Sequence, residues 1–285
     1  MTAGLPYLAA SVACSVTVAV LLKLARGRGI DLRQSIAANY PVAAVLCCLT
    51  LRPTAEQVAS ALPAWPMLLA LGVLLPGGFL AMAESVRHAG IVRSDAAQRL
   101  SLVIPLLAAF ALFGEPLDAG KAAAVAMAFA ALFCILRRRP VAGTPAADGL
   151  AWMWPLGVWV AYGTVDALFK QMAKSGAAFP GALLAAFALA ALVSAGWLAA
   201  RGTRWQARPL LAGVLLGLLN FLNIVTYIRA HQALPDNPAL VFSAMNMGVI
   251  TLGTLVGALV FREPLSRLNL LGLGLAVTAI WLMMP

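Results

Sequence analysis

Of the 285 residues, 62% are hydrophobic and 11% charged, against about 45–50% and about 25% in soluble domains, which excludes an ordinary soluble fold and points to an integral membrane protein. The net charge of +10 is topology information rather than a nucleic-acid footprint, because the basic residues fall between apolar runs. No nucleic-acid partner is expected, and the lipid bilayer is the expected surroundings.

The apolar runs predict spans at about Leu5–Ala25, Ser35–Leu51, Trp65–Val86, Ala96–Phe113 and Gly120–Leu136, each near the roughly 20 residues that a helix needs to cross a bilayer. No Lys or Arg precedes Lys23, so the first run reads as a retained span rather than a cleaved signal. From Arg137 to Asp148 the composition turns to Pro, Gly, Thr and Asp, which marks a boundary. Five further runs follow at about Ala151–Lys170, Gly181–Ala200, Leu210–Ile228, Leu240–Phe261 and Leu268–Met284. The expected fold is therefore all-α, with ten transmembrane helices and no soluble domain. Cys14, Cys47, Cys48 and Cys134 lie within apolar runs and read as core residues.

The stretch Asp95–Leu117, DAAQRLSLVIPLLAAFALFGEPL, returns as Ser243–Leu265, SAMNMGVITLGTLVGALVFREPL, at a constant offset of 148 residues. That offset takes Glu115-Pro116-Leu117 to Glu263-Pro264-Leu265 and Gln98 to Asn246. Outside that stretch, and at somewhat different offsets, Lys23 pairs with Lys170 and Arg87 with Arg229. A repeat of this size sets the architecture: residues 1–139 form a first five-helix unit, 140–149 a linker, and 150–285 a second unit. An odd number of spans per unit inverts the second copy, the arrangement typical of secondary transporters. Odd-numbered loops carry fifteen Lys and Arg and even-numbered loops five, which places both termini outside the cytoplasm, in what is read as a bacterial inner (plasma) membrane.

Polar groups within spans are costly and usually face a bundle interior. On that ground Asn39, Tyr40, Gln98, Trp159, Tyr162, Asn220, Asn223, Tyr227 and Asn246 are candidate substrate contacts, Trp159, Tyr162 and Asp166 sharing one helix face. The bland reading is that such amides tie helices together. Pro76-Gly77-Gly78 is expected to break the third span and loosen backbone near the site. The spacings Gly213/Gly217 and Gly253/Gly257 suit close helix packing.

Among charged residues, Glu115 and Glu263 precede Pro at a helix start and read as dipole caps. Glu84 with Arg87 and Asp166 with Lys170 have ion-pair spacing on one helix face. Together with Lys23 and Arg229 they are candidates for gating or proton coupling, since a carboxyl that alternates between burial and a neighbouring cation can take up and release a proton. His88 and His231 stand singly near loops, so no metal site is expected. There is no HExxH, no GxSxG and no cluster of His with carboxylates, so neither catalysis nor a cofactor is expected.

The paired pattern, LSLVIPLLAAFALFGEPL and then a glycine-bearing apolar helix such as NLLGLGLAVTAIW, resembles the EamA-type family of the drug/metabolite transporter superfamily over nearly the whole chain. Gly253 stands where the first copy has Pro105, a departure from the usual proline. The resemblance implies a substrate cavity between the two halves and proton-coupled or facilitated movement of a small polar or amphipathic metabolite, amino acid-like, an amine or similar, by a monomer or homodimer. The alternatives are a lipid-linked substrate flippase of the same fold and an intramembrane enzyme.

Overall fold

The computed structural model describes residues 4–105, 107–108, 119–136, 151–235 and 238–282, and among them there is no β-strand. The helices are α1 (Gly4–Gly27), α2 (Leu32–Thr50), α3 (Ala55–Ala59), α4 (Trp65–Ala89), α5 (Ile91–Leu100), α6 (Ala119–Leu136), α7 (Met153–Lys174), α8 (Phe179–Ala200), α9 (Ala207–Ala233), α10 (Pro238–Leu255) and α11 (Arg267–Leu282). A single turn of 3₁₀ helix, Leu62–Ala64, leads into α4, and a π-helical turn, Val256–Val260, prolongs α10. The short α3 was not expected; it opens on a capping box in which Thr54 and Gln57 exchange side-chain-to-backbone bonds. Glu115, Pro116 and the linker at 140–149 lie outside the described residues.

Four stretches are long and apolar enough to cross a membrane: Gly4–Gly27, Ala55–Ala89, Phe179–Ala200 and Ala207–Ala233. Three shorter apolar helices accompany them, Ala122–Leu136, Ala244–Val260 and Arg267–Leu282. Large apolar side chains point outward, Leu259 at 74% and Leu192 at 70% exposure. Trp65, Trp152, Trp205 and Trp281 are also exposed and stand near helix ends. Leucine outside and tryptophan at the ends is the surface a membrane protein presents.

Inside, α1 packs on α9 and α4 on α7; α2 packs on α9 and α4 on α8; α1 packs on α10 and α5 on α7; α6 lies along α11. Glycines set the closest of these contacts. A Cβ on Gly217 would stand 2.8 Å from the Asn39 carbonyl, and one on Gly213 would collide with Ser35, so the first spaced pair seats α9 on α2. The second pair seats α10 on α5, Gly257 against Val92 and Gly253 against Asp95. Three of the four cysteines are buried as expected, but Cys48 is exposed, because α2 turns that face away from its partners.

Two expectations about helix continuity are corrected. Helix α4 runs unbroken through Pro76, Gly77 and Gly78; Gly72, one turn earlier, puts no side chain beside the proline ring, and Gly78 packs against Tyr162 of α7. The fourth span, expected as one helix from Ala96 to Phe113, instead starts at Ile91, and its regular part stops at Leu100 with a turn at Ser101 and Leu102. The cause is Pro105. It has no N–H to give the Ser101 carbonyl and its ring crowds that carbonyl, so Ile104 N–H bonds Ser101 O at 2.9 Å and tightens the turn.

Candidate functional site

The break in α5 positions the site. With Ile104 N–H drawn to Ser101, the Leu100 carbonyl loses its helical donor, and the indole Nε1 of Trp159 on α7 donates to it at 2.9 Å. Gly163, one turn further along α7, lets that helix lie directly on the Ser101–Ile104 turn. The freed backbone is thus satisfied by a neighbouring helix rather than by water. Immediately before the break, Arg99 points its guanidinium between helices. Its Nη2 donates to Ser15 Oγ of α1 at 2.7 Å and its Nη1 to Asn246 Oδ1 of α10 at 3.5 Å, while its Nε is buried without a partner.

Around this cation, Asp95 on the same helix, Tyr162 and Asp166 on α7 and Tyr227 on α9 all lie within electrostatic reach. Asp95 is 1% exposed, and its Oδ2 has no hydrogen-bond partner. Asp166 keeps an accessible surface on α7 and lies within electrostatic reach of Arg99. Arginine offers five donors in a planar fork and cannot lose its proton. Set among neutral acceptors, carboxyls and two phenols, it can grip a polar group of a small molecule.

The residues expected at a substrate site divide. Tyr162, Tyr227 and Asn246 gather around Arg99, and Gln98 sits beside it in sequence, half-buried. Asn223 accepts a 2.7 Å bond from Ser11 Oγ and so joins α9 to α1. Asn220 donates to Asn39 Oδ1 at 3.3 Å, a tie between α9 and α2 of the kind helix-packing amides make. Tyr40 is fully buried in a hydrophobic cluster, its ring edge-on to Phe79 at 6.3 Å and near Phe187 at 6.4 Å. The aromatic contacts of its ring, more than its polar end, decide where it goes. Trp159 spends its N–H on the helix break, as described.

The expected charge pairs divide as well. Glu84 takes Arg87 at 3.5 Å, His88 at 3.6 Å and, more closely, Arg26 of α1. His88 also stacks on Trp154 at 5.8 Å. Asp166 lies within electrostatic reach of Arg99. Arg229 is exposed on α9, and no ion pair to it occurs among the described residues. His231 meets Tyr227 edge-on at 4.7 Å.

Glu263 is a further correction. It caps a helix, but not the one that follows it, since α11 opens on reciprocal bonds between Ser266 and Asn269. Its carboxylate instead accepts from Ile91 N at 2.7 Å and Val92 N at 3.1 Å, the first amides of α5, and from Lys23 Nζ at 2.6 Å. Gly90, at φ +89°, makes room: a Cβ there would stand 2.5 Å from Glu263 Oε2. Lys23 also lies over the Phe261 ring at 4.3 Å.

Asp95 was not among the residues expected at the site; Arg99, one of the fifteen basic residues assigned to odd-numbered loops, also admits reading as a cavity residue, as do Lys23 and Arg87. The readable signal was their i, i+4 spacing as the first and fifth residues of the repeated stretch, just ahead of Pro105. No group of three or more His, Cys, Asp or Glu that could hold a metal ion occurs among the described residues.

Comparison with protein-family models finds no match. Among solved structures, one described only as "Crystal structure of protein" is similar with a TM-score of 0.59 at 15% identity, covering 99% of this chain and 96% of that chain, a likeness of fold alone. A protein of Haemophilus influenzae, described as an uncharacterized protein, is 46% identical over 277 residues, covering 95% of this chain and 94% of that protein. At that identity and coverage, the chain belongs to the same family as the Haemophilus influenzae protein.

Proposed function

We propose that the protein is a secondary active or facilitative transporter, built of ten transmembrane helices in two inverted five-helix repeats, that moves a small polar or amphipathic metabolite, amino acid-like, an amine or similar, by alternating access. The observation that carries this reading is Arg99, a guanidinium beside a helix break whose neighbours come from α1, α7, α9 and α10. Discontinuous helices at a polar site between repeats are a mark of secondary transporters.

Helix packing supports the duplication. Exchanging α1 with α7, α2 with α8, α4 with α9 and α5 with α10 carries α1 on α9 into α7 on α4, α2 on α9 into α8 on α4, and α1 on α10 into α7 on α5. An inverted pair of five-helix units would pack in this way. In this reading the network of Lys23, Arg26, Glu84, Arg87 and Glu263 closes the cytoplasmic side, and the accessible Asp166 marks the path open to the other.

A thermal-shift screen of purified protein against free amino acids, amines and sugars, followed by counterflow in proteoliposomes, tests the activity. Gln98→Leu, Asn223→Leu, Tyr162→Leu and Asn246→Leu are each expected to weaken binding several-fold in folded protein. Four variants that bind as the parent does would place the cavity elsewhere, and translocation of a lipid-linked probe alone would favour the flippase reading. For topology, a reporter that fluoresces only in the cytoplasm, fused after the last residue, is expected to stay dark. Bright cells would reverse the orientation.

A further inference from the structure

We propose that Asp95 is the proton-binding site of the transport cycle, and that its proton exchanges against an ion pair with Arg99. The inference rests on the transporter reading. Asp95 is 1% exposed, and its carboxyl makes no hydrogen bond or ion pair among the described residues. An ionised carboxylate left so would bear the full penalty of burial without compensation. Arg99 follows at i+4, a spacing from which Asp and Arg pair readily, yet its guanidinium is spent on the neutral oxygens of Ser15 and Asn246. A full negative charge one turn away in a low-dielectric interior would outcompete those acceptors. The arrangement is that of a carboxylic acid, its Oδ2 seated where Gly253 has no side chain; a Cβ there would stand 2.7 Å away.

Breaking the acid O–H bond releases the proton to water on whichever side the cavity is open and leaves a carboxylate on α5. That carboxylate draws the guanidinium off Ser15 and Asn246, and with it the ties from α5 to α1 and α10. Taking a proton from the opposite side reverses the exchange. The exchange thus links one proton to the packing of three helices.

The charged and titratable surroundings leave this pair to itself. Beyond Arg99, Glu263 is the charge that reaches Asp95, and it is held by Lys23 of α1 and two α5 amides. On α7, Tyr162 faces both Asp95 and Arg99, and Asp166 faces Arg99. At the end of α4, Glu84 is occupied by Arg26, Arg87 and His88. α10 offers the neutral Asn246, and among the described residues no charge on α11 reaches Asp95.

Infrared difference spectra of the full protein in lipid, taken between acid and alkaline pH, are expected to contain a carboxylic-acid C=O band. The band should vanish in Asp95→Asn and persist in Glu84→Gln and Asp166→Asn; Gly253→Ala, which presses on Oδ2, should shift its frequency. A band that survives Asp95→Asn, or is unmoved by Gly253→Ala, overturns the proposal. In proteoliposomes holding a pH-sensitive dye, a mixture of amino acids, amines and sugars should move protons through the wild type. Asp95→Asn should lose that movement yet keep exchange of the labelled compound. A titrating Asp95 band without exchange of any compound would overturn the transporter reading while the proton site stands. Proton movement that persists in Asp95→Asn, or a sodium gradient that drives the wild type as well as a proton gradient, would overturn the coupling role.

Discussion

Replacing Arg99 with leucine is expected to abolish transport and to weaken binding by about 10- to 100-fold, the loss of about 1.5–3 kcal/mol that a hydrogen bond to a charged group contributes. The leucine leaves Ser15 and Asn246 without their donor and gives Asp166 and the two phenols no cation to face. Arg99→Lys separates charge from geometry: it keeps the positive charge but replaces a rigid fork by a single ammonium, so binding should recover in part while specificity relaxes. Binding isotherms on protein that still elutes as a single folded species check both. Wild-type affinity in Arg99→Leu would remove the guanidinium from the site altogether.

The largest loss of stability is expected at Glu263. Its carboxylate is 9% exposed and serves Lys23 and two N-terminal amides of α5 at once. Glu263→Ala leaves an ammonium and two helix-end donors without a partner, a change that costs about 3–5 kcal/mol where burial is complete. Lys23 keeps 27% exposure, so the lower end, about 3 kcal/mol, is expected in reversible unfolding from detergent. Glu263→Gln should regain part by keeping an acceptor for the amides. Arg87→Ala offers the contrast, since that side chain is 52% exposed and meets Glu84 at 3.5 Å; less than about 1 kcal/mol should follow. Equal losses in the two variants would show that the carboxylate's threefold role is illusory.

What was legible in the sequence follows the range of the interactions involved. Helix positions came from runs of apolar residues, a local property, and most boundaries differ from expectation by a few residues. The close-packing role of Gly213, Gly217, Gly253 and Gly257 was readable because four-residue spacing alone puts small residues on one face. The helix break was misplaced because two neighbouring glycines drew attention to Pro76, whereas the outcome at a proline depends on whether other helices satisfy the backbone it frees. Trp159 does so for Leu100, and nothing near Leu100 in the sequence names Trp159. Tyr40 and Asn220 were polar residues in spans, as a site would have, but their partners across the bundle made one a core residue and the other a tie. For Arg99 the sequence left a topology charge and a cavity residue both open, and the fold places Ser15 and Asn246 around it.

The cap on α5 also constrains the order in which the protein can be assembled. Ile91 and Val92 open α5 with amides that have no helical partner, and the carboxylate that satisfies them is synthesised 172 residues after Ile91. Throughout that interval the chain already made holds an open helix end and a Lys23 without its carboxylate, both unfavourable wherever water is excluded. A chain cut short before Glu263 would therefore keep that end uncapped and be expected to be a good substrate for quality-control proteolysis. Residues far apart along the chain are thus not separable in assembly, because Glu263 completes the start of α5.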